Sequence, residues 1–377
     1  MPEAPETGEI SGRRAIYEEL RRRLLSRGPD GDGPLTERTV AREFSVCRLT
    51  ARRALQELVR SGHLQVTPRR GYWPSSPLVG TKAPRIAYVH ANLERPMERG
   101  SHYTDVISAV QWQVLRQGGT VISIGESDPP SGRLVERVQT EQVDGIILDC
   151  DGQEADAIAD ALGAPCVLIN TPTASLKLDV LVQDNAAGGH LAARHCLDAG
   201  HRRIGWLGWQ TGNPHARERL GGFLSAFAER GLPFDPAWAV LVERGSGRAG
   251  AERAVERLLA LKPTAIVVLW TDLGAWSARY IRRAGLRIPD DIGLVTWGPE
   301  ETFRANWWEC SGAQAPLPDA ILWKLGGMVD AALSRLAERM RNPLTLPARV
   351  LLPVRLARRG SCLKGSPVPG RAAGGIT

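Results

Sequence analysis

Residues 46–55 read Val46-Cys47-Arg48-Leu49-Thr50-Ala51-Arg52-Arg53-Ala54-Leu55, "VCRLTARRAL". Three arginines stand within six residues of a segment that also carries a regular apolar set. At about 100° per residue, a helix places Ala51, Ala54, Leu55 and Leu58 on one side. Leu49, Arg52, Arg53 and Gln56 fall on the other, with Arg48 at the N-terminal edge. The spacing predicts a helix running to about Ser61, with Gly62 at its end, held by an apolar stripe and presenting guanidinium groups outward. The major groove of B-DNA admits one such helix, and arginine forks there meet guanine edges or phosphate oxygens bidentately. A solvated basic face on an ordinary domain is the plainer alternative for a charge run. The surrounding elements decide between them.

Ala15–Arg27 reads as a helix, with Ile16, Leu20 and Leu24 at i, i+4 and i+8. "GPDGDGP" (28–34) is a loop. "LTERTVAREF" (35–44) is a short helix with Thr36 as N-cap and Thr39 three residues later. After the arginine helix, "HLQVTPRRGYWP" (63–74) reads as two short strands around a "PRRG" turn. That turn carries Arg69 and Arg70 to a hairpin tip, where phosphate or minor-groove contact suits them. Helix, helix, turn, helix, hairpin is the order of a winged helix-turn-helix. Charge agrees. The 377 residues carry a net charge of +7, and residues 34–73 hold eight basic side chains against three acidic ones. A basic head is attached to a nearly neutral body, and the expected partner is double-stranded DNA.

"PSSPLVGTKAP" (74–84) looks like a linker. Beyond it, apolar runs alternate with helical stretches: "RIAYVHA", "GTVISIGE", "VDGIILDC", "PCVLIN", "VLVQDN", "RIGWLGW", "WAVLVER", "TAIVVLW" and "IGLVTWG". This alternation is the βαβ pattern of parallel sheets covered on both faces. Some nine strands are too many for one small domain, so two similar lobes are expected, with the break near Asp184. The predicted organisation is a disordered N-terminus (1–12), a winged head (13–75), a linker (76–84), a two-lobed α/β domain (85–361) and a disordered tail (362–377).

Residues 34–73 resemble the winged helix of the GntR family, whose pattern runs roughly L-P-S-E-R-x-L-A, V-S-R-x-T-V-R-x-A-L, then G-x-G-T-F. The resemblance implies DNA contacts for Arg38, Arg48, Thr50, Arg52 and the wing residue Gly71. Cys47 stands where the family has a capping Ser or Thr, a poorer cap. Leu49 replaces a frequent Thr and is suited to a thymine methyl. Arg69 replaces the first wing glycine. Residues 182–233 are similar to the sensor domain of the LacI family, which is akin to periplasmic sugar-binding proteins. The match rests on Asp184, Gly188, Ala192, His195, Gly200, His201, Arg202, Arg203 and Ile204, then Arg219, Gly222, Phe223, Ala226 and Gly231. "AGLRIPDDIGLVTW" (284–297) and "VRLARRGS" (354–361) extend it. A GntR-type reader joined to a LacI-type sensor is the arrangement of arabinose-repressor-type regulators.

That resemblance implies two lobes closing on a small molecule, a sugar or derivative, and changing the spacing of two DNA readers in a homodimer. Asp184 and Arg219 would bond sugar hydroxyls. The family's Asn-Asp after "AIVV" is here Trp270-Thr271, and its Gly-x-Asp-Asp is Thr296-Trp297-Gly298-Pro299. Tryptophans thus replace polar ligand groups. They suit either sugar stacking, or a more apolar effector, or a filled crevice in a domain that serves only as a dimerisation scaffold. Asp149, in "LDCDG" (148–152), falls at a strand's carboxyl end on the crevice side. The implied role is a transcription regulator, a repressor of carbohydrate-use genes.

"GSGRAG" (245–250) is a literal G-x-G-x-x-G between a strand-like run and a helix, with Asp272 near the spacing of a ribose-binding acid. It makes an NAD-dependent oxidoreductase the formal alternative, though the motif is weak when alone. No catalytic, metal or cofactor constellation is expected: HExxH, G-x-S-x-G and Walker patterns are absent from the sequence. Six cysteines without a CxxC pair read as reduced thiols. An acidic start without an apolar stretch is not expected to be a signal peptide, and no run reaches the roughly 18 apolar residues of a membrane span. A cytoplasmic location is expected.

Overall fold

The computed structural model describes residues 13–26, 34–60, 64–67, 71–74, 84–91, 102–126, 132–150, 152–173, 177–209, 214–243 and 246–363. The expected disordered N-terminus, Gly62, Arg69, Arg70 and nearly all of the expected linker and tail lie outside them.

The head contains α1 (Arg13–Ser26), α2 (Glu37–Glu43), α3 (Arg48–Arg60), β1 (Leu64–Thr67) and β2 (Gly71–Pro74). Thr36 caps α2 through a reciprocal box with Thr39: the Thr39 amide donates to Thr36 Oγ1 at 3.1 Å, and the Thr36 amide to Thr39 Oγ1 at 3.0 Å. Two orphan amides at the helix start are thereby satisfied. Ile16, Leu20, Val40, Ala51, Ala54, Leu55, Leu58 and Leu64 form one buried cluster, so three helices and the hairpin share a core. Strands β1 and β2 pair antiparallel.

The remainder holds β3 (Arg85–Ala91), α4 (His102–Arg116), β4 (Thr120–Glu126), α5 (Gly132–Thr140), β5 (Gly145–Asp149), α6 (Gly152–Leu162), β6 (Cys166–Ile169), β7 (Asp179–Gln183) and α7 (Asn185–Asp198). There follow β8 (Ile204–Trp209), α8 (Pro214–Ala228), β9 (Ala239–Val242), α9 (Gly247–Ala260), β10 (Ala265–Val268), α10 (Thr271–Arg283), β11 (Gly293–Pro299), α11 (Phe303–Ser311), β12 (Asp319–Trp323), α12 (Leu325–Arg341), β13 (Arg349–Leu352) and β14 (Val354–Ala357).

Two compact units result. Among the described residues, the first comprises the head, residues 84–91, 102–182 and 325–352; the second comprises residues 183–324 and 353–363. Each has a six-stranded sheet, ordered β13-β7-β6-β5-β3-β4 in the first and β14-β12-β11-β10-β8-β9 in the second. The nine expected runs all form strands. Three further strands, β12 to β14, were not anticipated, and β14 runs antiparallel to β12, so the second sheet is not wholly parallel. Every residue of β5, β6, β7, β10, β11 and β12 is buried, as strands covered on both faces must be. In both sheets the chain starts at an inner strand, steps out to the edge, then returns to the other side. The carboxyl ends of β3 and β5, and of β8 and β10, therefore splay apart at a topological switch, where open α/β sheets hold ligands.

The sheet order bears on the dinucleotide alternative. A nucleotide fingerprint follows a strand at the switch, and its acidic partner ends the adjacent strand. Here "GSGRAG" follows the edge strand β9, while Asp272 comes after β10, and β8 lies between them. Asp272 instead accepts the Leu273 amide at 2.7 Å in the first turn of α10.

Candidate functional site

On α3, Ala51, Ala54, Leu55 and Leu58 are all fully buried, whereas Arg48, Leu49, Arg52, Arg53 and Gln56 are exposed. The apolar stripe fixes the roll of the helix, and the roll aims the arginines at solvent. Arg38 is exposed on α2 and Thr50 half-exposed in the first turn of α3. The Cys47 thiol contacts Thr50 Oγ1 at 3.2 Å, so sulfur takes up the side-chain contact of a capping residue. The Thr50 hydroxyl first, then the Thr50 and Leu49 amides, pull this thiol's pKa below its ordinary value. Arg52 Nε lies 3.6 Å from Glu37 Oε1, to which the Tyr72 hydroxyl donates at 3.4 Å. Glu37 thus orients a guanidinium toward the wing side.

Gly71 has a structural reason beside its implied DNA role. Its φ is +94°, and a Cβ there would lie 2.8 Å from the Leu35 carbonyl oxygen. Leu35 and Tyr72 exchange two backbone hydrogen bonds of 2.8 Å, which tie the wing to the start of α2.

The second unit contains five of the implied effector residues: Asp184 before α7, Arg219 on α8, Trp270 and Thr271 at the start of α10, and Trp297 on β11. Asp184 caps α7, accepting the Ala187 amide at 2.9 Å. Arg219, on α8, is 2% exposed. Its Nε donates to Asn185 Oδ1 at 2.9 Å and its Nη1 to the Leu269 carbonyl at 2.7 Å. The guanidinium sits 4.0 Å from the Trp297 ring centroid and 5.0 Å from that of Trp270. Burial pulls the Arg219 pKa down to about 9, which still leaves the group charged at neutral pH. Two aromatic faces and two fixed acceptors replace its water. Thr271 and Thr296 close the arrangement: the Thr271 hydroxyl donates to the Trp297 carbonyl and the Thr296 hydroxyl to the Trp270 carbonyl, each at 3.0 Å. Trp297 is 2% exposed and packs onto Gly188, where a Cβ would meet its ring edge at 2.0 Å. Trp270 is half-buried and keeps free surface.

In the first unit Asp149 ends β5 and accepts the Tyr88 hydroxyl at 2.6 Å. His90 of β3 is in register with Asp149, and burial lowers its pKa. Its Nδ1 is buried without a hydrogen-bond partner among the described residues. Asn170, with φ +62°, follows β6. Tyr88, His90 and Asn170 were absent from the sequence expectation. The signal available was a histidine ending the apolar run "RIAYVHA", where burial on both faces otherwise excludes polar side chains.

Behind the ligand end, His195 of α7 bonds Asp319 at 2.7 Å. The hydrogen bond to Asp319 raises His195 above its ordinary 6.5. Burial alone would raise Asp319, but the His195 bond and the amides of Arg359 and Gly360 outweigh it and hold the carboxyl below 3.8. The pair therefore contributes fully near pH 5–6.5. Its contribution fades as pH rises through the raised His195 pKa, and again as pH falls through the lowered Asp319 pKa. Thermal midpoints of the full chain are expected to fall as pH rises from about 6.5 to about 8.5, and His195→Gln to flatten that slope. An unchanged slope in the variant would remove the pair as its cause.

The comparisons with known proteins agree with this architecture. Residues 13–73 match the gntR family of bacterial regulatory proteins, and residues 193–362 the periplasmic binding protein-like domain. The chain joins a gntR-type head to a periplasmic-binding-protein-like domain. The ribose operon repressor of Haemophilus influenzae is 28% identical over 247 residues, covering 64% of this chain and 71% of that one. The arabinose metabolism transcriptional repressor of Halalkalibacterium halodurans is 24% identical, covering 71% and 74%. The HTH-type transcriptional repressor PurR of Mannheimia succiniciproducens is 26% identical, and the match spans only 60% of its length. Among solved structures, the regulator CelR in complex with cellobiose shares the fold, with a TM-score of 0.61 and 20% identity over 94% of this chain and all of that one. No described helix is long and apolar enough to cross a membrane.

Proposed function

We propose that this regulator is a cytoplasmic homodimer without enzymatic activity that binds operator DNA through α3 and the wing, and represses carbohydrate-use genes. Its DNA affinity responds to a small polyhydroxylated molecule held at the carboxyl ends of the sensor strands. The observation that carries the reading is α3: four apolar residues with no exposed surface on one face, and Arg48, Leu49, Arg52 and Arg53 exposed on the other. The sugar operon repressors among its relatives support the assignment of effector class. Asp149, Tyr88, His90 and Asn170 supply the polar groups that a hydroxylated ligand needs.

Binding to fragments of the chain's own upstream DNA tests the reader. Arg52→Ala is expected to weaken binding by about 10-fold, and loss of phosphate contacts to lower the salt slope by about one unit each. Affinity and salt slope that survive removal of residues 1–78 would sink the assignment. A second reading, the sensor as a dimerisation scaffold, is favoured by the burial of Arg219 between Trp297 and Trp270. A thermal-shift screen with ribose, arabinose and cellobiose separates the two: a shift supports an effector, and none favours the scaffold.

A further inference from the structure

Two thiols in the second unit meet for no reason that DNA or ligand binding supplies. Cys196 of α7 and Cys362, beyond β14, are both buried, and their sulfurs are hydrogen-bonded at 3.6 Å. One carboxylate brings them together. Asp319 accepts the amides of Gly360 at 2.8 Å, Ser361 at 3.3 Å and Cys362 at 3.2 Å, and that of Arg359. It also bonds His195, the residue before Cys196. The segment carrying Cys362 is thus wrapped around an acid that α7 grips from the other side.

The surroundings distinguish Cys362 from the other thiols, its neighbour Cys196 included, which its bond to Cys362 and burial push up. The Cys196 thiol, and then the His201 and His195 imidazoles, hold Cys362 below the ordinary cysteine range although burial opposes them. Burial without such donors pushes Cys166 up to about 12 and Cys310 up to about 11. A thiolate is the form that attacks peroxide and disulfides. Leu363, the residue after Cys362, is 57% exposed.

We propose that Cys362 and Cys196 form a peroxide-responsive thiol pair, with Cys362 as the nucleophile and Cys196 as the resolving thiol. The Cys362 thiolate attacks one oxygen of a hydroperoxide. The O–O bond breaks, hydroxide or alkoxide leaves, and Cys362 becomes the sulfenic acid. The Cys196 sulfur then attacks that sulfur, the S–O bond breaks, and the Cys196 proton leaves with the hydroxyl as water. Each sulfur is oxidised by one electron and the peroxide takes up two. The product ties α7 to the segment beyond β14, and a cellular dithiol reverses it.

The test treats the full chain with hydrogen peroxide, blocks remaining thiols by alkylation and maps the peptides by mass spectrometry. The expected product is the Cys196 peptide joined to the Cys362 peptide, about 2 Da lighter than the two reduced peptides together and released by dithiothreitol. In Cys196→Ser, Cys362 is expected to persist as a sulfenic acid that dimedone traps. The pair is overturned if the exposed Cys47 is oxidised while both buried peptides remain separately alkylated. It is equally overturned if Cys362 proceeds to the sulfinic acid with Cys196 unreacted. The native-chain cross-link decides even where the serine variant fails to fold.

Discussion

Asp179→Ala is expected to destabilise the first unit by about 3–5 kcal/mol, the cost of leaving buried positive charge without its counter-charge. Asp179 has no exposed surface and begins β7. It accepts Arg335 Nε at 2.9 Å, Arg339 Nε and the Ala348 amide at 2.8 Å, so one carboxylate joins β7, α12 and the chain leading to β13. The Arg335 side chain is only 3% exposed and Arg339 14%, so neither can turn to water without unpacking α12. Arg335 keeps bonds to Glu338 at 2.7 Å and to the Leu346 carbonyl at 2.9 Å, and these bound the loss from above. The site also reaches the head, because Arg21 of α1 donates to the same Glu338 oxygen at 2.9 Å. Hydrogen exchange of β7 amides in the full chain reads this unit separately from the second, which a single melting curve does not. Asp179→Asn keeps the shape and two acceptor sites and is expected to cost less. A loss under about 1 kcal/mol in Asp179→Ala would mean that water or rearrangement already compensates the arginines.

What the sequence disclosed follows from which forces act locally. The roll of α3 was legible because burial of Ala51, Ala54, Leu55 and Leu58 depends only on helical period. The nine strands were legible because two covered faces require unbroken apolar runs. Strands β13 and β14 were not, since each has four residues, Pro353 separates them, and their burial alternates irregularly. β12 hid between a proline-rich turn and α12. The aromatic replacements at 270 and 297 were visible as departures from a family pattern. Their disposition was not, because it depends on Gly188 and Arg219, which are distant in sequence. Glycine at 188 serves both helix and ring contact, and a single sequence does not separate those roles. The thiol pair escaped for the same reason, since 166 positions separate Cys196 from Cys362.

Trp297→Ala is expected to lower the stability of the second unit by about 3–5 kcal/mol, as removal of a buried aromatic side chain does. Gly188→Ala is expected to be comparably harmful, because its new Cβ would stand 2.0 Å from the Trp297 ring edge and 2.7 Å from the next ring carbon. These are one interaction seen from two sides. The double variant is therefore expected to be more stable than the sum of the single losses by about 1–3 kcal/mol, since a methyl group at 188 enters space vacated by the indole. Additive losses would show that the ring moves aside freely. The ring also covers one face of Arg219, whose charge is retained at neutral pH despite burial. Removing it opens that face to water and to hydroxyl groups. If the wild-type sensor is closed by its own tryptophan, a sugar that leaves the native chain unaffected should raise the thermal midpoint of Trp297→Ala. If instead the native chain already binds a sugar by stacking on Trp270 alone, Trp297→Ala should leave that affinity within a few-fold, while Trp270→Ala abolishes it.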